Sequence, residues 1–170
     1  MLITPADHKD LKDLNVLINN SYRGETSKKG WTTEADLLDG LRTDEAALED
    51  MINEDNSVIL KCLNEDGLLV GCVYLQKQDY KLYVGMLTVS PLHQNNGIGK
   101  KLLNAAEEYA IKKNCSSIIM TVISIRNELI EWYERNGYEK TGETKPFHYN
   151  GVRFGIPKMP LEFIFLQKKV

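Results

Sequence analysis

The apolar positions along the chain change period several times, and each change marks an element. LIT (2–4) is a short apolar run that predicts a first strand. Thr4-Pro5 reads as the N-cap and first position of a helix, where proline has no needed N–H to lose. Leu11, Leu14, Leu17 and Ile18 then recur at helical spacing. SYRGETSKKGW (21–31) is polar and punctuated by glycine, so it predicts a loop. Thr32 or Thr33 is placed to cap a short helix over EADLLDGL. Thr43 or Asp44 is placed to cap another, with Leu48, Met51 and Ile52 on its inner face.

From residue 57 the period shortens to that of strands. SVILKCL (57–63) and LLVGCVYLQ (68–76) flank Asn64-Glu65-Asp66-Gly67, and Asp-Gly between two such runs is a hairpin signal. KLYVGMLTV (81–89) is a third, antiparallel strand, on which simple alternation puts Lys81, Tyr83 and Gly85 on one face with Leu87 and Val89. A helix follows from about 98 to 113, with Ile98, Leu102, Ala105, Ala106 and Tyr109 as its stripe. CSSIIMTVI (115–123) is a buried strand, and ELIEWYERN (128–136) a helix stopped by Gly137. YEKTGE (138–143) begins a strand, Asn150-Gly151 suggests a small hairpin, and LEFIFLQK (161–168) is a terminal strand. Exposed as an edge, that last strand would invite pairing between chains, so a homodimer is an expectation. The order of elements predicts an α/β fold with a mixed sheet.

Composition narrows the class. The 170 residues suggest one domain over 1–170, with 42% hydrophobic and 26% charged residues, an ordinary globular balance. A net charge of −3 argues against a general nucleic-acid binder. No apolar run reaches the roughly 18 residues of a membrane span, and MLITPADHKD lacks the build of a secretory leader. The odd count of cysteines (Cys62, Cys72, Cys115), with no CxxC pair, is expected of buried apolar side chains in a cytoplasmic protein.

The chemistry-bearing stretch is HQNNGIGKKL (93–102), a glycine turn between a strand and a helix. A P-loop needs G-x-x-x-x-G-K-[ST], and Gly97-Ile98-Gly99-Lys100-Lys101 has the wrong spacing. A dinucleotide fingerprint needs a third glycine where this chain has Leu102. The remaining reading is a pyrophosphate turn, in which backbone N–H groups from Asn95 to Lys100 ring an anion at a helix N-terminus. By spacing alone, that reading stands level with a plain solvated turn.

Two segments together resemble the GNAT superfamily of acetyl-CoA-dependent N-acetyltransferases. One is Leu87-Thr88-Val89-Ser90-Pro91 followed by Gln94-Asn95-Asn96-Gly97-Ile98-Gly99-Lys100. The other is NELIEWYERNGY, Asn127 through Tyr138. The resemblance implies a single GNAT-like domain with a mixed, mostly antiparallel sheet flanked by helices. It implies acetyl-CoA as co-substrate and no metal. Leu87 and Val89 would hold the pantetheine and acetyl carbonyl through the backbone of a splayed strand. Gln94, Asn95, Asn96, Gly97, Ile98, Gly99 and Lys100 would cradle the pyrophosphate. Asn127 would contact the cofactor, and Tyr133 would stand near its sulfur as general acid. Read without the resemblance, Leu129, Trp132 and Tyr133 form a packing face and Asn127 is an N-cap.

Amide formation from a thioester needs a neutral amine, a stabilised oxyanion and a protonated leaving thiolate. The Val89 N–H is the candidate oxyanion donor and Tyr133 the candidate proton donor, with direct attack in a ternary complex. Residues 80 to 90 contain no Asp or Glu on the strand feeding the site, so the base is sought elsewhere. Glu34, His148 and a water chain are candidates. Eleven acidic residues between 32 and 66, against Arg42 and Lys61, would either attract a cationic acceptor or simply be solvated helix faces. Trp31, Tyr22 and Tyr83 are candidates for an apolar acceptor wall. The acceptor is a small-molecule or peptide amine, with no nucleic-acid or membrane partner expected. A non-catalytic acyl-CoA sensor and a general nucleotide-binding module are the competing readings.

Overall fold

The computed structural model describes residues 1–148 and 154–170. Among them run β1 (Leu2–Pro5), α1 (Leu11–Tyr22), α2 (Gly24–Ser27), β2 (Leu38–Asp39), α3 (Glu45–Asn53), β3 (Ser57–Leu63) and β4 (Leu69–Gln78). They continue as β5 (Lys81–Val89), α4 (Ile98–Lys112), β6 (Ser117–Ile123), α5 (Asn127–Arg135), β7 (Glu139–Pro146), β8 (Ile156–Pro157) and β9 (Glu162–Lys169). The expected Asn150-Gly151 hairpin lies outside the described residues. The main sheet has the order β1-β3-β4-β5-β6-β9-β7, and β2 and β8 form a separate pair. Every neighbour in the main sheet is antiparallel except β5 and β6. The α/β, mostly antiparallel sheet flanked by helices is thus present.

Helices cover both faces of the sheet and make two cores. On one face α4 sets Leu102, Leu103, Ala106 and Ala110 against Val73, Leu75, Leu82, Val84 and Met120. On the other, Leu14 and Ile18 of α1 and Leu48 of α3 meet Ile59, Cys72, Tyr74 and Met86. Leu14, Ile18 and Leu48 are fully buried, and each such side chain contributes about 1.5–3 kcal/mol by leaving water. Asp44 caps α3 by accepting the Ala47 N–H at 2.8 Å, as its position before the apolar stripe predicts. The three cysteines are buried and unpaired.

Four expectations need correction. Thr4-Pro5 does not start a helix: Pro5 pairs with Leu60 in β1. The start is set instead by Asp7, which accepts from the Lys9 N–H while its own N–H donates to Asp10. EADLLDGL makes one turn closed on the Glu34 carbonyl, after which Leu38 leaves to pair with Pro157. The loop 21–31 contains a helical turn, Gly24–Ser27, and its first residues end α1. The last strand is not an edge, because β9 lies between β6 and β7. That removes the edge argument for a homodimer.

Alternation along β5 also fails, at one residue. The pairing with β4 shifts between Cys72 and Tyr74, so that Thr88 faces Cys72 but Gly85 faces Tyr74. Met86, with φ of 51°, is in the left-handed region, and the extra residue is a β-bulge. Tyr83 and Met86 therefore pack on the α1 face, while Val84, Leu87 and Val89 pack on the α4 face. Lys81, Tyr83 and Gly85 do not share the face of Leu87 and Val89. Gly85 leaves room beside the bulge for the Tyr83 ring, which a Cβ there would approach to 2.8 Å.

Candidate active site

The site begins where the two parallel strands part. β5 and β6 are in register at Lys81, Leu82 and Tyr83 with Ser117, Ile118 and Ile119, and no pairing continues beyond. The rest of β5 keeps only its β4 neighbour. The Ser90 N–H donates to the Val70 carbonyl at 2.9 Å. By the alternation of an antiparallel ladder, Thr88 also turns its backbone groups to β4, and Leu87 and Val89 turn theirs to the open side. Two side chains reach those carbonyls: Tyr22 Oη donates to Leu87 O at 3.0 Å, and Gln94 Nε2 to Val89 O at 3.4 Å.

Two cavities occupy the gap. The larger, about 400 Å³, runs from Leu87, Thr88 and Val89 across Gln94, Asn95, Gly97, Ile98, Gly99 and Lys100 to Trp132, Tyr133 and Arg135. The smaller, about 150 Å³, lies deeper between the splayed strands, with Glu34, Arg42, Tyr83, Met120, Val122 and Phe163 in its wall. Tyr22, Leu87, Arg126, Leu129 and Tyr133 line both.

The glycine turn delivers the start of α4 to the larger cavity. Asn95 and Gly97 have φ of 65° and 72°, and Gly97 is the N-cap without a side-chain cap. The first intrahelical bond is from Lys101 N to Gly97 O at 3.0 Å, so the amides of Ile98, Gly99 and Lys100 have no helical acceptor. A Cβ on Gly99 would meet the Trp132 indole at 3.2 Å. Three aligned donors, a nearby lysine and bare backbone fit a pyrophosphate.

Tyr133 is buried and faces both cavities from α5. Trp132 and Tyr138 hold its ring edge-on, with centroids at 5.1 and 5.8 Å. Tyr138 is positioned by the end of the helix: Gly137, with φ of 90°, lets Gly137 N reach Glu134 O and Tyr138 N reach Tyr133 O. The Tyr133 hydroxyl has no hydrogen-bond partner among the described residues. Desolvation pushes its phenol well above the ordinary tyrosine range. It is a proton carrier at neutral pH and not a base.

At the wall of the smaller cavity lies a buried ion cluster. Glu34 Oε1 accepts from Arg126 Nη1 at 3.1 Å, and Oε2 accepts from Arg23 Nε and Nη2 at 3.3 Å. All three residues are less than a tenth exposed. Arg126 Nη2 donates to Thr32 Oγ1 at 2.6 Å, while its buried Nε has no hydrogen-bond acceptor among the described residues and stands 3.8 Å from Glu128 Oε1. Arg42 stacks on the Tyr22 ring at 5.1 Å.

The structure brings most of the expected site residues together. Leu87, Val89, Gln94, Asn95, Gly97, Ile98, Gly99, Lys100, Trp31 and Tyr133 share the larger cavity, and Glu34 and Tyr83 reach the smaller one. Asn96 lines neither cavity, and its amide donates to His93 O. Asn127 is exposed at the start of α5 and lines neither, and His148 is likewise exposed. Arg126, which lines both cavities and binds Glu34, is the site residue that pattern reading missed. A lone arginine in the otherwise uncharged VISIR (122–126) was its signal.

The chain matches the acetyltransferase (GNAT) family over residues 18–138. It belongs to that family. GNAT members transfer an acetyl group from acetyl-CoA to amines, and this GNAT domain is an acetyl-CoA-dependent acyltransferase domain. N-acetylaspartate synthetase of Danio rerio is 25% identical over 129 residues, covering 75% of this chain and 44% of that protein. The chain thus spans less than half the length of the curated relative it matches. A ribosomal-protein-alanine N-acetyltransferase from Brucella melitensis superposes with a TM-score of 0.70 at 22% identity, over 100% of both chains. The ribosomal-protein-S18-alanine N-acetyltransferase of Escherichia coli gives 0.74 at 12% identity, over 99% of this chain and 93% of that one. These two show a shared GNAT fold. Among the described residues, no helix is long and apolar enough to cross a membrane.

Proposed function

We propose that the protein acetylates a primary amine with acetyl-CoA, by direct attack in a ternary complex. The observation that carries this reading is the junction of the two cavities at Leu87 and Tyr133. A pyrophosphate at the α4 N-terminus would leave the larger cavity to the pantetheine arm, ending at that junction. An amine entering through the smaller cavity would meet the thioester there.

The steps follow from the groups present. The amine nitrogen attacks the thioester carbon, forming C–N. The Val89 N–H, turned to the open side of β5, donates to the developing oxyanion. As C–S breaks, Tyr133 donates to the departing sulfur, and its phenol is restored by the proton that the nitrogen loses. The thiol and the amide leave neutral, and no enzyme nucleophile is needed.

Glu34 is not the proton acceptor in this reading. Both of its oxygens already accept from guanidinium groups, so it braces Arg126 and Arg23. The amine reaches the site already neutral, or loses its proton to water in the cleft.

Proteins similar to this chain are named for different products or acceptors, one for N-acetylaspartate and others for a ribosomal-protein alanine. The acceptor must therefore come from this chain's own pocket. Calorimetric titration with acetyl-CoA, CoA and ATP, followed by an amine panel, tests the reading. CoA-selective binding and turnover are expected. Equal binding of ATP would overturn the donor half. CoA binding with no turnover of any amine would leave the acyl-CoA sensor.

A further inference from the structure

The smaller cavity carries more positive charge than the acetyl-transfer chemistry asks for. Three guanidiniums, Arg23, Arg42 and Arg126, stand at or just behind its wall. The carboxylates that answer them are Glu34, shared between Arg23 and Arg126, and the half-exposed Glu128, 3.8 Å from Arg126 Nε. Among the described residues, three cations against two anions leave one positive charge over. The Arg42 side chain makes no ion pair among the described residues and lies over the Tyr22 ring. Arg126 is 7% exposed, yet its Nε–H has no acceptor. A buried guanidinium with an unanswered donor is costly unless something accepts from it.

The acidic residues of the 32–66 segment do not change that balance. Asp36, Asp39, Glu45, Glu49, Asp50, Glu54, Asp55, Glu65 and Asp66 are exposed, and the half-buried Asp44 turns a carboxylate oxygen to the Ala47 N–H at the start of α3. Of that segment's carboxylates, only Glu34 reaches the cavity wall. The expectation of a negative field drawing in a cationic acceptor is not met at the cleft itself.

We propose that Arg126 and Arg42 bind a carboxylate of the acceptor, so that the acceptor class is a small amino acid, not a polyamine or an amino sugar. This rests on the acetyl-transfer reading above. The cavity's roughly 150 Å³ falls below the usual few hundred of drug-sized sites, which suits an acceptor of a few heavy atoms. Met120, Val122 and Phe163 give it an apolar side, where a guanidinium–carboxylate contact is little weakened by water. The same arginines disfavour a second cation nearby. They lower the pKa of the bound ammonium and favour the neutral amine that attack requires. The pocket thereby supplies what a missing base would otherwise have to do.

The test compares matched amines. Initial rates of CoA release are measured with L-alanine, L-aspartate, L-alaninamide and ethylamine, at equal concentrations of free amine. Either amino acid is expected to exceed both neutral amines in kcat/KM by about tenfold or more, the worth of one charge-assisted hydrogen bond. Arg42→Gln and Arg126→Gln are expected to collapse that ratio, with the Kd for CoA unchanged in Arg42→Gln. Ethylamine or alaninamide used as well as the amino acids would overturn the proposal. A second arm titrates the CoA complex with N-acetyl-L-alanine and with N-ethylacetamide. Binding of the acid alone is expected, and equal binding or none would overturn the assignment. Acid-selective binding without turnover of any amine would instead sink acetyl transfer while leaving the carboxylate site in place.

Discussion

Gln94 and Trp31 are tied by one hydrogen bond, in which the Trp31 backbone N–H donates to Gln94 Oε1 across 2.9 Å. The same side chain donates to Val89 O, and Gly30 leaves room for it, since a Cβ there would come within 2.7 Å of its oxygen. The glycine turn of the donor side is thus fastened to the loop that walls the mouth of the cleft. Gln94→Ala should raise KM for the best amine about fivefold, the worth of one ordinary hydrogen bond. Gly30→Val should do the same by pushing Gln94 away. Steady-state kinetics in each substrate would check both, and unchanged constants would make Gln94 a bystander.

Tyr133→Phe should lower kcat by about 10²-fold with little change in acetyl-CoA binding. Because burial holds the Tyr133 phenol far above its ordinary value, the wild-type rate should show no loss from its ionisation below pH 10. A pH–rate profile of both proteins reads this directly. Equal rates at every pH would remove Tyr133 from the reaction.

Gly97→Ala should cost about 1 kcal/mol of stability, since φ of 72° is a left-handed conformation. Gly99→Val should spare that backbone but displace Trp132, whose ring a Cβ would already touch at 3.2 Å. Weaker CoA binding is therefore expected for Gly99→Val. Urea denaturation and calorimetry distinguish the two effects.

Alkali should unfold the protein through its desolvated acids. Desolvation pushes the Cys72 thiol and the Tyr22 phenol each up to about 12. The folded state holds protons that the unfolded chain releases from pH 9 for the thiol and pH 10 for the phenol. Their contribution is complete below pH 9 and is lost as pH rises through about 12. The loss is about 1.4 kcal/mol per pH unit for each group in its window. Denaturation midpoints from pH 8 to 11 should fall, and fall less steeply in Cys72→Ala. A flat profile would mean that neither group stays protonated inside.

Much of this was legible in the chain. The hairpin at Asp66-Gly67, the strand over 81–89 and the helix ended by Gly137 follow from local periodicity and turn chemistry, and those elements stand where expected. What pattern could not supply were relations across the sheet. The bulge at Met86 comes from pairing with β4, and no residue type announces it. The Glu34–Arg126 bond spans 92 positions. Glu34 therefore read as a candidate base and Arg126 as nothing at all. The place of β9 was misjudged for the same reason, because strand order is set by tertiary packing and not by the strand's own alternation.

That place of β9 also sets a timetable. β7 and the far edge of β6 have one common neighbour, residues 162–169. During synthesis both strands emerge before their partner exists. A nascent chain stalled near residue 160 carries β6 with an unmatched row of backbone groups, the template on which stray chains aggregate. Closing the sheet, and with Phe163 the wall of the smaller cavity, is the work of residues made after the glycine turn, α4 and α5, so the cleft-bearing half must wait, shielded by chaperone or by speed, for β9 to slide in.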